Sequence, residues 1–95
     1  MSDQFDTIEL VPGAVYEICL PIEKSKEIAF SFSSTHIVEF NVHYHQGTEI
    51  RFPIEKTATK SKTESVPIEI AIDHCLTWKN QQNKKTTLRY FYEIN

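Results

Sequence analysis

The sequence predicts an all-β fold, an antiparallel β-sandwich of about seven to eight strands, and two observations predict it. From Tyr16 onward almost every large apolar residue occupies an even-numbered position, as in Tyr16, Ile18, Leu20 and Ile22 or Val38, Phe40, Val42 and Tyr44. Alternation with period two is the mark of strands with one face in a core and the other in water. The apolar runs are also short, and they are parted by polar breaks at a spacing that suits a sandwich or barrel. A jelly-roll or immunoglobulin-like sandwich is the alternative arrangement.

Ile8 and Leu10 make a short leading strand, closed by the turn pair Pro12-Gly13, where proline presets its own φ and glycine accepts a positive one. Strands then follow over about residues 15–22, 27–33, 36–45, 49–55, 66–72, 74–79 and 86–94. The breaks are polar: Lys24-Ser25-Lys26, Ser33-Ser34-Thr35, Gln46-Gly47-Thr48, and Asn80 through Lys85. At Gly47 both flanking strands must aim even-numbered residues into one core. This predicts Tyr44 opposite Ile50, Val42 opposite Phe52, Phe40 opposite Ile54, His45 opposite Glu49 and His43 opposite Arg51. Pro21, Pro53 and Pro67 lie within strand patterns, which makes those strands edges, bulged or kinked, because proline donates no ladder hydrogen bond. Glu55 to Ser65 has no periodicity and reads as one long loop. Trp78, Phe40, Val42, Phe30 and Ile70 are expected in the core.

Ninety-five residues make one domain, 1–95, since domains cluster at roughly 100–150 residues. Ten Lys and Arg against thirteen Asp and Glu give a net charge of −3, which argues against a nucleic-acid partner that relies on general attraction. The chain shows neither an apolar leader nor a run near the roughly 20 apolar residues of a membrane-spanning helix. A soluble, cytoplasmic protein is expected. Cys19 and Cys75 are too few for a disulfide scaffold. Reduced thiols are the default for an intracellular chain, but both residues have odd parity in strands that could be neighbours, which leaves a cross-strand disulfide open.

His43 and His45 share a strand face, as a shared metal requires. With no third ligand evident, they read as exposed histidines, and no metal or other cofactor is expected. Ser31, Ser33 and Ser34 near His36 lack a nucleophile elbow or oxyanion loop, and the carboxylates at Glu17, Glu39, Glu49, Glu69 and Glu93 are scattered over outward positions, so no enzyme is expected. In the run Tyr90-Phe91-Tyr92, parity turns Phe91 outward. It either packs on the segment around Phe5 or anchors a partner. Lys84 and Lys85, with the lysines from Lys56 to Lys62, form a candidate basic rim for a protein partner or anionic lipid.

Trp78-Lys79-Asn80, a polar turn with Lys84-Lys85, and the aromatic closing strand Leu88 to Ile94 together resemble the GOLD domain, named for Golgi dynamics. The strands around Tyr16 to Pro21, Ile28 to Phe32 and Val38 to Tyr44 are similar to its earlier elements. The glycine that often precedes the aromatic-x-Asn strand is absent, its place held by Asp73-His74-Cys75. The resemblance implies a β-sandwich that binds other proteins without catalysis. The expected function is therefore a non-catalytic protein-binding module acting through an exposed edge strand or loop cluster. A small-ligand or carbohydrate-binding sandwich and a metal-binding protein using His43 and His45 are the alternatives.

Overall fold

The computed structural model describes residues 4–95. Six strands lie among the described residues: β1 (Asp6–Leu10), β2 (Val15–Leu20), β3 (Glu27–Gln46), β4 (Glu49–Pro67), β5 (His74–Lys79) and β6 (Thr86–Ile94). All pair antiparallel, in the order β1-β6-β3-β5-β2, with β4 also on β3. The all-β, antiparallel expectation holds. The expectation of seven to eight strands does not, because two predicted strands fuse into β3 and the predicted 66–72 strand contributes only its start, to the end of β4.

β3 carries the architecture. Its first half, Ile28 to Ser34, pairs with β6, and its second half, Glu39 to His43, pairs with β5. β4 follows it along nearly its whole length. Between the halves the β4 register jumps from Ser33↔Ser61 to Val38↔Thr59. Ser34, Thr35, His36 and Ile37 thus stand against Lys60 alone, a surplus that bends a strand sharply. Hydroxyls take up the backbone groups freed there. Ser34 donates to the His36 carbonyl at 2.7 Å, buried Thr86 accepts from the His36 N–H at 3.0 Å, and Thr35 accepts from the Thr87 N–H at 2.9 Å. The polar run that reads as an interstrand turn is therefore a corner within one strand.

The bend brings the even-numbered faces of the two halves together. Ile28, Phe30, Phe32, Val38, Phe40 and Val42 are all buried. Phe32 and Phe40, one from each half, have ring centroids 4.7 Å apart. Trp78 of β5 packs 5.3 Å from Phe40 and 5.3 Å from Tyr90 of β6, and the hydroxyls of Tyr90 and Tyr16 meet at 2.7 Å. Burial pushes the Tyr90 phenol well above its ordinary pKa, with the bond to Tyr16 adding to the effect. Of the expected core residues, Trp78, Phe40, Val42 and Phe30 are buried, whereas Ile70 is only partly covered. Ile70 lies in an irregular segment after β4. Its neighbour Ile68 is buried instead, tied to the β2–β3 turn by bonds to Lys26 and Ser25.

Two further expectations are corrected. Residues 55–65 belong to β4 and do not form a loop. Val66 pairs with Ile28 and Ile54 with Val42, both with even parity, while Thr59 and Thr57 between them oppose Val38 and Phe40 with odd parity. Register shifts reverse the phase twice, and this erases the period that sequence reading relies on. The hairpin at Gly47 is also tighter than expected. Gly47, at φ 63°, and Thr48 form the turn, with Gln46↔Glu49, His45↔Ile50 and Tyr44↔Arg51. Moving away from the hairpin, even-to-even pairing first appears at Val42↔Ile54, after a shift near Phe52 and Pro53 that a proline-bearing edge tolerates.

Asn80 follows β5 and is fully buried. Its amide donates to the Leu10 and Lys84 carbonyls, both at 2.8 Å, and its carbonyl oxygen accepts from the Gln82 N–H at 2.9 Å. It thereby clamps the β5–β6 turn to the end of β1. Trp78→Ala or Phe40→Ala should each cost roughly 3–5 kcal/mol in chemical denaturation, through lost burial and a residual cavity. Asn80→Ala should cost about 2–4 kcal/mol, since two carbonyls lose their donors. Midpoints near wild type for the aromatic variants would contradict the packing between the two halves, and a midpoint near wild type for Asn80→Ala would contradict the clamp.

Candidate functional site

Two regions gather chemistry. The first is the odd-numbered face of β2, β5 and the second half of β3. There Cys19 lies directly opposite Cys75, and Cys75 directly opposite His43. Two residues along, Glu17 pairs with Thr77 and Thr77 with Asn41. Residues two apart on a strand share a face, so three strands deliver six polar or sulfur-bearing side chains to one patch. Cys19 and Cys75 form a disulfide with Cα atoms 4.0 Å apart. Of the two states the sequence left open, the structure holds the bridged one and not the default free thiols.

His43 is the centre of this patch. Its Nδ1 lies 2.8 Å from Oδ1 of buried Asn41. A carbonyl oxygen only accepts, so Nδ1 carries a proton, and in the neutral ring that a lowered pKa favours Nε2 keeps its lone pair. Nε2 points at Glu17 Oε2, 3.5 Å away, and the Thr77 hydroxyl donates to the same carboxylate oxygen at 3.0 Å. Burial holds the His43 pKa below the ordinary imidazole value, against the pull of Glu17; His45 and Lys56 also lower it. Ligand atoms of Glu17, His43 and Cys75 all lie within 4.8 Å of one another. His45, the other half of the expected pair, sits edge-on to His43 at 5.4 Å between ring centroids and is not part of this group. Glu17 and Cys75 thus stand beside His43 without joining it to His45, and Cys75 is held in the bridge to Cys19. Odd parity at positions 17, 41, 43, 75 and 77 was the available signal, but the strand order that makes these residues neighbours is not written in local sequence.

The second region is a cleft of about 530 Å³ between the two ends of β4 and the start of β5. Tyr44, Ile50, Phe52, Val66 and Ile70 supply its apolar surface, and Glu55, Glu64 and Glu69 its acidic one. Arg51 also lines it but is ion-paired to Glu49. Sequence reading placed no site here, because residues 64–70 were divided between a loop and a strand.

The residues put forward for partner binding lie elsewhere. Phe91 packs against Phe5 at 5.7 Å between centroids, the structural alternative weighed for it, and Phe5 in turn lies 4.2 Å beneath the Arg89 guanidinium. Lys85 pairs with Glu9 at 3.0 Å, an exposed contact, and the Lys84 carbonyl accepts from Asn80.

The class these features define is an all-β antiparallel protein whose sheet bends through one long strand. No family model and no curated protein matches the chain. Among solved structures it is similar to a de novo designed double-stranded β-helix, with 11% identity and a TM-score of 0.56 over 96% of this chain and 100% of that one. At that identity the likeness is one of fold alone.

The neutral state of His43 gives stability a pH dependence. The unfolded imidazole takes up a proton as pH falls through about 6.5, while the folded one resists it, so the unfolded state gains and stability drops. Glu17 on β2, Thr77 on β5, Asn41 and His45 on β3, and Lys56 and Phe52 on β4 are the groups around it. Denaturation midpoints should fall between about pH 7 and about pH 5, and His43→Gln should flatten that fall. An equal slope in the variant would contradict the assignment.

Proposed function

We propose that this chain is a non-catalytic protein-binding module built on a β-sandwich of GOLD-like type, acting in the cytoplasm. Its partner is an extended peptide segment of mixed apolar and basic character, received in the cleft at the β4 edge. The observation that carries this reading is the state of β4, a 19-residue strand that pairs with β3 alone. A free edge offers main-chain donors and acceptors to an added strand, and side-chain pockets beside it supply specificity. Lys56, Lys60 and Lys62 occupy the middle of β4, where charge discourages unselective pairing. The ends carry the cleft, whose largely polar lining includes Glu55 and Glu69 beside Glu64, which Lys62 pairs, with Ile50, Phe52 and Ile70 as apolar contacts, a mix that complements basic and apolar side chains.

The sandwich arrangement is supported by the ring contacts across the bend, Phe32 on Phe40 and Trp78 on Tyr90. Among the described residues no helix is long and apolar enough to cross a membrane.

Selection of a random displayed-peptide library on the intact chain tests the reading. Enriched peptides should alternate apolar and basic residues and slow hydrogen exchange in β4. Ile50→Asp and Glu69→Lys, both at exposed positions, should each weaken them at least about tenfold, or roughly 1.4 kcal/mol. Enriched peptides that leave β4 exchange unchanged, or that bind both variants normally, would overturn it.

A further inference from the structure

We propose that the Cys19–Cys75 disulfide is the closed state of a thiol-gated zinc site whose four ligands are Cys19, Cys75, His43 and Glu17. The inference stands on the outer-face geometry and is independent of the peptide-binding cleft. Two thiolates, one imidazole and one carboxylate form a donor set suited to zinc and poor for magnesium or calcium, which favour all-oxygen shells.

The spacing is close to what a tetrahedral ion requires. Zinc bonds of about 2.0–2.3 Å put neighbouring ligand atoms roughly 3.3–3.8 Å apart. His43 Nε2 and Glu17 Oε2 already stand 3.5 Å apart, and Cys19 Sγ is 3.6 Å from Glu17 Oε1. Cys75 Sγ lies within 4.8 Å of both the imidazole and carboxylate ligand atoms. Opening the disulfide frees both sulfurs, which stand opposite each other on paired strands.

The surroundings are also arranged for a cation. Asn41, only 5% exposed, holds the Nδ1 proton and turns the Nε2 lone pair toward Glu17, the outer-shell device that fixes metal-ligating histidines. A proton on Nε2 or a cation between the imidazole and the carboxylate reconciles the two groups, and a metal ion does so with the imidazole neutral. Thr77, donating to Glu17, orients the second of those groups.

The gate is the sulfur–sulfur bond, since only thiolates ligate the metal. Reduction adds two electrons and two protons to the disulfide and gives two thiols. A dithiol donor supplies both electrons and both protons and becomes a disulfide itself. Zinc then displaces the two thiol protons, forms two Zn–S bonds, and completes its shell with His43 Nε2 and a Glu17 oxygen. Exposed Cys19 is the sulfur that an incoming thiolate reaches, because Cys75 is buried.

The test uses the full chain, oxidised and after reduction by a phosphine, which takes one oxygen from water to become the phosphine oxide while the disulfide becomes two thiols. Cobalt(II) is the spectroscopic probe and zinc the competitor. The reduced chain should bind one cobalt with thiolate charge-transfer and tetrahedral d–d bands, which zinc should displace; the oxidised chain should show neither band. His43→Gln and Glu17→Gln should each weaken binding at least about tenfold, Asn41→Ala about 10–100-fold as an outer-shell loss, and His45→Gln not at all. Zinc should also raise the melting temperature of the reduced chain and leave that of the oxidised chain unchanged. Equal cobalt spectra in both redox states, or binding indifferent to His43→Gln and Glu17→Gln, would overturn the proposal. A reduced chain that loses its β-structure and does not regain it with zinc would overturn it as well.

Discussion

Everything in this molecule depends on one strand changing direction without leaving its ladder. If β3 ran straight, β6 and β5 would lie beside it in one flat sheet, and the apolar faces carrying Phe30, Phe32, Phe40 and Trp78 would be left in water. The bend at Ser34 to Ile37 turns one half of that surface onto the other. A turn out of the sheet would break hydrogen bonds. Here the hydroxyls of Ser34, Thr35 and Thr86 take over backbone groups that the register shift leaves unpaired. Unpaired buried backbone groups are costly, so these small polar side chains matter more to the fold than their size suggests.

The aromatic cluster shows how such a core tolerates imperfection. Trp78 touches Phe32, Phe40, Tyr16 and Tyr90, yet its indole N–H is buried without an acceptor among the described residues. The apolar area and ring contacts of a buried tryptophan outweigh one unmet donor. The two tyrosines at the margin satisfy each other's hydroxyls, so the unmet donor stays with the side chain that gains most from burial.

Much of the inner face was legible in the sequence, because even parity survives along β3, β5 and β6. Tyr16, Phe40, Trp78 and Leu88 can be assigned by counting. β4 could not be, since its shifts swap odd for even between Ile54 and Val66 and its exposed edge carries threonine and lysine where a central strand would carry valine. The outer patch was half legible. Parity put His43, Glu17 and both cysteines on the same side of their strands, and only the order β2-β5-β3 makes them neighbours. Sheet order is set by long-range packing and leaves no local mark. The cleft was not legible at all, because it is a gap between distant parts of β4.

The pairing of β1 with β6 sets Asp6 opposite Tyr90, and Glu27 exchanges backbone bonds with Asn95. The two ends of the described chain are thus joined through the sheet, while the β3–β4 hairpin closes around Gly47 near the middle of the sequence. Local hairpin contacts cost little loop entropy, whereas joining the ends requires closing nearly the whole chain. Loop-closure entropy therefore favours the hairpin around Gly47 over the β1–β6 pairing as the earlier contact. β1 lies at the edge of the order and pairs with β6, so its residues have no ladder to enter until Leu88 to Ile94 are in place.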